Sequence, residues 1–119
     1  MEQRRQLGND SENLAGRFLQ QKGYEFVENN FSCKRGEIDL IVRKEDLLVF
    51  VEVRSKSSAQ YGQPLETVNC KKQEKIHKAA EYYLYLHPEL AELYCRFDVI
   101  SILWQEGKAR LNWIADAFQ

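Results

Sequence analysis

The sequence predicts an α/β protein with the element order α-β-β-β-α-β(-β) and a mixed central sheet flanked by helices. Three observations predict it. Apolar residues recur at helical spacing in two stretches, near residues 10–22 and 69–87. Two runs rich in β-branched residues, EIDLIVR (37–43) and LLVFVEVR (47–54), are separated only by Lys44-Glu45-Asp46, a step short enough for a hairpin. A further apolar run follows the second helix, and hairpin, helix, strand in that order implies a right-handed parallel crossover.

The first helix is expected to begin at Asn9, an N-cap with Glu12 three residues on as its capping-box partner. Leu14, Ala15, Phe18 and Leu19 then form one apolar face, and Gly23 is a plausible stop. Tyr24–Val27 reads as a first strand, running through Asn29-Asn30 to the basic turn Cys33-Lys34-Arg35-Gly36. After the hairpin, SKSSAQYGQP (55–64) is a loop by composition. Asn69 caps the second helix, in which Ile76, Ala79, Ala80, Tyr83 and Leu84 share a face before His87-Pro88 ends it. YCRFDVISILW (94–104) and ARLNWIA (109–115) read as strands around a turn at Gly107.

The chain's 119 residues fit one domain, 1–119, of ordinary globular composition, with 44% hydrophobic and 29% charged residues. Cys33, Cys70 and Cys95 are scattered and odd in number, so neither a disulfide framework nor a zinc site is expected. No apolar run reaches the length of a membrane span, and the N-terminal stretch lacks the apolar segment of a signal peptide. A cytoplasmic protein is expected. A net charge of −1 argues against general polyanion binding, so any such contact must come from a local patch. Lys71, Lys75 and Lys78 are expected on a solvent-facing side of the second helix, whereas Lys72 extends its apolar stripe toward the sheet end.

The informative stretch is the hairpin 36–56. Alternate side chains in a strand share a face, so Ile38, Leu40 and Val42 are expected to join Val49, Val51 and Val53 on one apolar face. The other face carries Glu37, Asp39 and Ile41, with Leu48, Phe50, Glu52 and Arg54 on the next strand. With either the two-residue turn Glu45-Asp46 or the four-residue turn Lys44–Leu47, directly opposed residue numbers sum to 91, so Asp39 faces Glu52 and Glu37 faces Arg54. Opposed Cβ atoms lie about 4.5–5.5 Å apart, and like charges there are destabilising. Desolvation in a central strand sharpens the repulsion. A divalent cation resolves it, because two carboxylates with a carbonyl and waters suit octahedral Mg²⁺. Plainer readings stand beside this one: Glu37–Arg54 as a cross-strand ion pair, Glu12 as a capping residue, and Asp39 as a solvated residue at a sheet end.

At these residues the chain resembles the restriction-endonuclease-like superfamily, whose signature is an acidic residue on a helix, then Asp, then Glu-x-Lys. It is more closely similar to the uncharacterised bacterial YraN-like family, whose pattern resembles Holliday-junction resolvases. GNDSENLAGRFLQQKGY, GEIDLI, VFVEVR, VNCKKQEKIHKAAEYYL, RFDVI and the closing ADAF carry the resemblance over most of the chain. It implies a restriction-endonuclease-like core. It also implies Asp39 and Glu52 as metal ligands, Glu12 as the helix carboxylate near the metal, and the Val53 carbonyl completing the site for Mg²⁺ or Mn²⁺. The pattern's lysine falls on Arg54, which stays protonated and can orient or stabilise charge but cannot act as a base. Lys56 projects to the same face two residues on. Lys72 and Gln73 coincide with the family's helix motif and are expected to contact phosphate, with Lys34 and Arg35. Asp98, in RFDVI, is expected to serve structure.

The resulting expectation is divalent-metal-dependent phosphodiester hydrolysis on structured nucleic acid. DNA, including branched DNA, is the expected partner, no membrane contact is expected, and a homodimer is compatible with the sequence. Two rivals remain open. One is a nucleic-acid-binding module of the same fold that has lost its chemistry, which Arg54 and the weak positive charge favour. The other is a protein-interaction domain.

Overall fold

The computed structural model describes the backbone of residues 2–57 and 68–119, with side chains from residue 10 to 56 and from 68 onward. The elements are α1 (Glu2–Gln21), β1 (Glu25–Cys33), β2 (Gly36–Lys44), β3 (Leu47–Ser57), α2 (Cys70–Leu86), a 3₁₀ turn (Pro88–Leu90), β4 (Tyr94–Gln105) and β5 (Lys108–Phe118). The strands lie in one sheet in the order β1-β2-β3-β4-β5. Only β3 and β4 pair in parallel, joined through α2, and the other neighbours are antiparallel. The expected element order and mixed sheet are therefore present.

A helix covers each face. Ala15 and Leu19 of α1, with Tyr24, pack in one cluster with Leu40, Val42, Val49, Val51, Ile100 and Ile102. On the other face Ile76, Ala79, Ala80 and Tyr83 of α2 pack with Ile41, Leu48, Phe50 and Val99. Both faces of β2 and β3 are thus buried, which explains why these strands read as near-continuous apolar runs. No described helix is long and apolar enough to cross a membrane.

The departures from expectation have local causes. α1 starts at Glu2, so Asn9 lies inside the helix and the capping box with Glu12 does not form. The preceding Glu-Gln-Arg-Arg-Gln-Leu segment consists of good helix formers and carries the helix upstream. β1 continues past Val27 to Cys33, absorbing Asn29-Asn30 by a register shift between Phe26 and Glu28 and a positive φ of 53° at Asn30. Asparagine tolerates that conformation. β3 extends to Ser57, where Ser55 to Ser57 pair with Ile102 to Trp104, so the loop expected at 55–64 starts later; the rest of it lies outside the described residues.

Ile38 is the clearest correction. Strict alternation groups it with Leu40, but it belongs to the cluster under α2, together with Ile41. The alternation breaks at Asp39, whose side chain turns toward β3. Gly36, just upstream, fits close against α2: a Cβ there would stand 2.7 Å from the Lys75 carbonyl oxygen. Its φ is not positive, so the requirement is for space alone. Gly36→Ala is expected to cost about 1–3 kcal/mol of stability, as overpacking against backbone does; urea unfolding checks this, and an unchanged midpoint contradicts it.

Candidate metal centre

The β2–β3 ladder runs from Lys44–Leu47 to Leu40–Val51, the register the sequence predicts, around Glu45-Asp46 with φ 55° at Glu45. A two-residue hairpin closes on a hydrogen-bonded pair, so Lys44–Leu47, Val42–Val49 and Leu40–Val51 are the hydrogen-bonded positions. The next such pair would be Ile38–Val53, but the ladder stops short of it. The Val53 N–H instead donates to Asp39 Oδ2 at 2.8 Å. In an extended strand the N–H and C=O of one residue point the same way, so the Val53 carbonyl also faces this gap. The strands part here, and a carboxylate stands where the backbone acceptor would have been.

Glu52 meets Asp39 in the gap, and their carboxyl groups share a hydrogen bond. Burial raises the Asp39 pKa, against the opposing pull of the Val53 N–H, the Glu52 hydrogen bond and Lys72. Burial, then the neighbouring Asp39 charge, pushes Glu52 up to about 7, although Lys72 and Arg54 oppose this. The Glu52 side chain is only 11% exposed, and its ion-pair contact with Lys72 Nζ is long, 3.6 Å to Oε2. Two carboxyl groups are thus held in one partly dry site, where ionising both is disfavoured.

The sign of the stability effect follows. A carboxyl whose folded pKa is raised favours folding below its unfolded value, near 4.5, and loses that contribution as pH climbs through about 7. Glu52→Gln is expected to stabilise the metal-free protein by about 1–3 kcal/mol at pH 8, the lower part of the range allowing for the lost Lys72 contact. The gain should vanish near pH 4.5. Urea melts at the two pH values decide it; a destabilised variant at pH 8 contradicts the assignment.

Glu12 approaches from α1. Burial raises its pKa, an Asn30 side-chain hydrogen bond lowers it, and the charges of Asp39 and Glu37 raise it further. Its Oε1 is buried without a hydrogen-bond partner. Among the described residues, no three His, Cys, Asp or Glu side chains gather tightly enough to form a metal-ligand group on their own. Glu12 therefore feels the charges of Asp39 and Glu37 without being drawn into one metal-ligand cluster with the pair. The expected Glu37–Arg54 pairing is not part of the ladder: Glu37 is exposed and lies opposite Ser32 on β1.

The basic residues fall on the α2 side. Asn69 caps α2 through its side chain, accepting from the Lys72 N–H at 2.8 Å. That cap fixes the first turn and sends Lys72 back over the sheet end, as helical spacing predicts. A small recess there is lined by Glu52, Arg54, Asn69 and Lys72. Lys72 also lines a second recess with Lys34, Arg35, Lys75 and Glu37. Lys75 is exposed, as expected, and it borders the basic turn because Gly36 lets the hairpin approach the helix backbone there; the signal was the glycine following Lys34-Arg35. Lys56 continues the Arg54 face of β3. Gln73 donates from Nε2 to the Val68 carbonyl at 2.6 Å, an anchor for the chain entering α2. Lys78 pairs with Glu74 along the helix surface.

Asp98 is fully buried and stands apart from the pair in function. Its two oxygens accept from Arg96 Nε and Nη2 at 2.8 Å each, from Trp113 Nε1 at 2.9 Å and from the Asp116 N–H at 2.9 Å. Arg96 Nη2 also donates to the Tyr24 hydroxyl at 3.0 Å. Four donors leave this carboxylate no site for a metal, and the structural role expected for it holds.

A mixed five-stranded α/β sheet whose central hairpin opens onto a half-buried carboxylate pair is the class that fold and site define. Within it, residues 11–102 match the model of Uncharacterised protein family UPF0102, and the chain belongs to that family. It is 42% identical over 115 residues to a UPF0102 protein of Clostridium perfringens, covering 95% of this chain and 93% of that one. A UPF0102 protein of Caldicellulosiruptor bescii is 44% identical over 117 residues, covering 96% and 98%. One of Pseudomonas syringae is 44% identical over 116 residues, covering 97% and 94%. The YraN-like resemblance is borne out by these matches.

Proposed function

We propose that the protein is a divalent-metal-dependent nuclease that hydrolyses phosphodiesters in structured nucleic acid. One observation carries the reading: Asp39 and Glu52 share a half-buried gap at the end of an otherwise apolar hairpin. Ionising both carboxyls in one half-buried gap opposes folding, and a cation-binding role explains why both stand there. The donor set fits a hard divalent ion such as Mg²⁺ or Mn²⁺. It comprises the oxygens of Asp39 and Glu52 with the Val53 carbonyl facing the same gap, and Glu12 adds negative field from the helix side. The similarity of this arrangement to the restriction-endonuclease-like pattern supports the same reading.

When bound, such an ion supplies Lewis acidity and lowers the pKa of a bound water. The chain's own residues account for the rest. Asp39 is fixed by the Val53 N–H, so its free oxygen is already oriented. Lys72 brings an ammonium to Glu52 from α2, while the strand position where the pattern has lysine holds Arg54. Arg54 keeps its proton and steadies negative charge on phosphoryl oxygens without taking part in proton transfer. Lys34, Arg35, Lys56 and Lys75 hold phosphates along the groove leading to the pair. Such contacts carry no sequence information, so selectivity rests on the shape of the nucleic acid.

The test is a cleavage panel of branched, flapped, duplex and single-stranded DNA and RNA with Mg²⁺ or Mn²⁺. Metal-dependent cleavage of at least one structured substrate is expected, and none under any metal overturns the reading. Arg54 favours a second reading, a binding module without chemistry. Salt-sensitive binding that survives Asp39→Ala, with no cleavage by wild type, would identify that case.

A further inference from the structure

An aromatic surface lies at the far end of the basic groove and has no part in the carboxylate site. On α2, Tyr82 and Tyr85 are 42% and 78% exposed, and their rings stack with centroids 6.2 Å apart and planes 21° apart. Tyr82 is backed by the buried Phe31 at 6.4 Å. Tyr82 also walls a recess of about 490 Å³ whose other side is the turn carrying Ser32, Cys33, Lys34 and Arg35. The same turn borders the recess shared with Lys72, and Lys72 reaches Glu52. Rings, then basic turn, then lysine, then carboxylates follow one another along a single path.

We propose that Tyr82 and Tyr85 form a stacking platform for an unpaired nucleobase of the substrate, whose adjoining phosphate is held by Lys34 and Arg35. The inference rests on the nuclease reading and narrows it to substrates with a single-stranded segment beside the cleaved bond. The chemistry is selective: a paired base offers its faces only to its neighbours in the stack, whereas an unpaired base can lie against an aromatic ring. Charge complementarity sets the occupant. A purely apolar partner would gain nothing from Lys34 and Arg35, and the interior of a duplex would leave the rings unused. Tyr82, backed by the buried Phe31, keeps its orientation and Tyr85 stacks on it, which reduces the ordering needed on binding.

The test is fluorescence anisotropy in EDTA, where no divalent ion allows hydrolysis, using a blunt duplex and the same duplex with a single-stranded tail. With the stacking faces removed, the double variant Tyr82→Ala/Tyr85→Ala should bind the tailed probe about tenfold or more weaker. Its affinity for the blunt probe should change by less than about twofold, and Tyr82→Phe/Tyr85→Phe should restore tailed binding because the ring faces remain. Circular dichroism melts confirm that the variants are folded. Equal losses on both probes, no loss on the tailed probe, or no wild-type binding to the tailed probe overturns the platform. Cleavage of the same probes in Mg²⁺ is scored separately. Tyrosine-dependent binding without cleavage would leave the platform standing and remove the nuclease reading. Cleavage indifferent to both tyrosines would do the reverse.

Discussion

Asp39→Ala is expected to lower metal-dependent cleavage by about a thousandfold or more, the scale set by removing a group that fixes charge at a reacting phosphate. The size follows from the geometry. Asp39 is the carboxylate held in place by the Val53 N–H, so it is the ordered half of the pair. Glu52 is the half that reaches Lys72. Without Asp39 the remaining carboxyl loses its companion, and a lone partly exposed carboxylate with one carbonyl is a weak site for a hydrated divalent ion. Alanine also strands the Val53 N–H, at a cost of about 1–3 kcal/mol, offset by relief of the Glu52 repulsion. Asp39→Asn separates these effects. Its amide oxygen still accepts from Val53 while the negative charge is gone. Both variants should be inactive in a gel assay with Mg²⁺, and Asp39→Asn should melt at or above wild type. An active Asp39→Asn would show that the carboxylate charge is not used.

The second large effect is on stability. Asp98→Ala should destabilise the fold by about 3–5 kcal/mol, as breaking a buried charge pair does. That is a large share of the roughly 5–15 kcal/mol available to a domain of this kind. The carboxylate has no exposure, and the partner Arg96 side chain is 22% exposed, so the guanidinium regains only part of its hydration. Trp113 Nε1 and the Asp116 N–H lose their acceptor as well. Asp116 has a positive φ of 55° where β5 slips its register against β4 between Phe97 and Val99, and the Asp98 bond pins that irregularity. The variant should lower the urea midpoint and shift Trp113 fluorescence, while an unchanged midpoint would show that the network is dispensable. Asp98→Asn is expected to rescue little, because its NH₂ group meets donors where acceptors were needed.

How far the sequence revealed this molecule depends on how local each determinant is. The β2–β3 register was legible because a two-residue turn and a period-two pattern fix it within about a dozen residues. The meeting of Asp39 and Glu52 came with it. Lys72 was legible too, since an N-cap at Asn69 and helical spacing set its direction. Ile38 was not: its face depends on Asp39 turning into the gap, a side-chain choice that alternation does not encode. Neither was the approach of Lys75 to Lys34-Arg35, which needs the contact between Gly36 and α2 across 39 residues of chain. The extra length of α1 removed the capping explanation for Glu12 and left a buried, unpartnered oxygen beside a carboxylate pair. Tyr82 and Tyr85 were silent because they fall outside the stripe of Ile76, Ala79, Ala80 and Tyr83, and nothing in the sequence shows that their rings stack.

The carboxylate pair as a cation site is tested most directly by Mn²⁺ titration, followed by calorimetry in two buffers of different ionisation enthalpy. With Glu52 near half-protonated at pH 7, one bound ion per chain should be accompanied by release of a proton. Both the binding and the release should be lost in Asp39→Asn and in Glu52→Gln. Binding that survives either substitution, or no saturable binding by the wild type, would contradict the account.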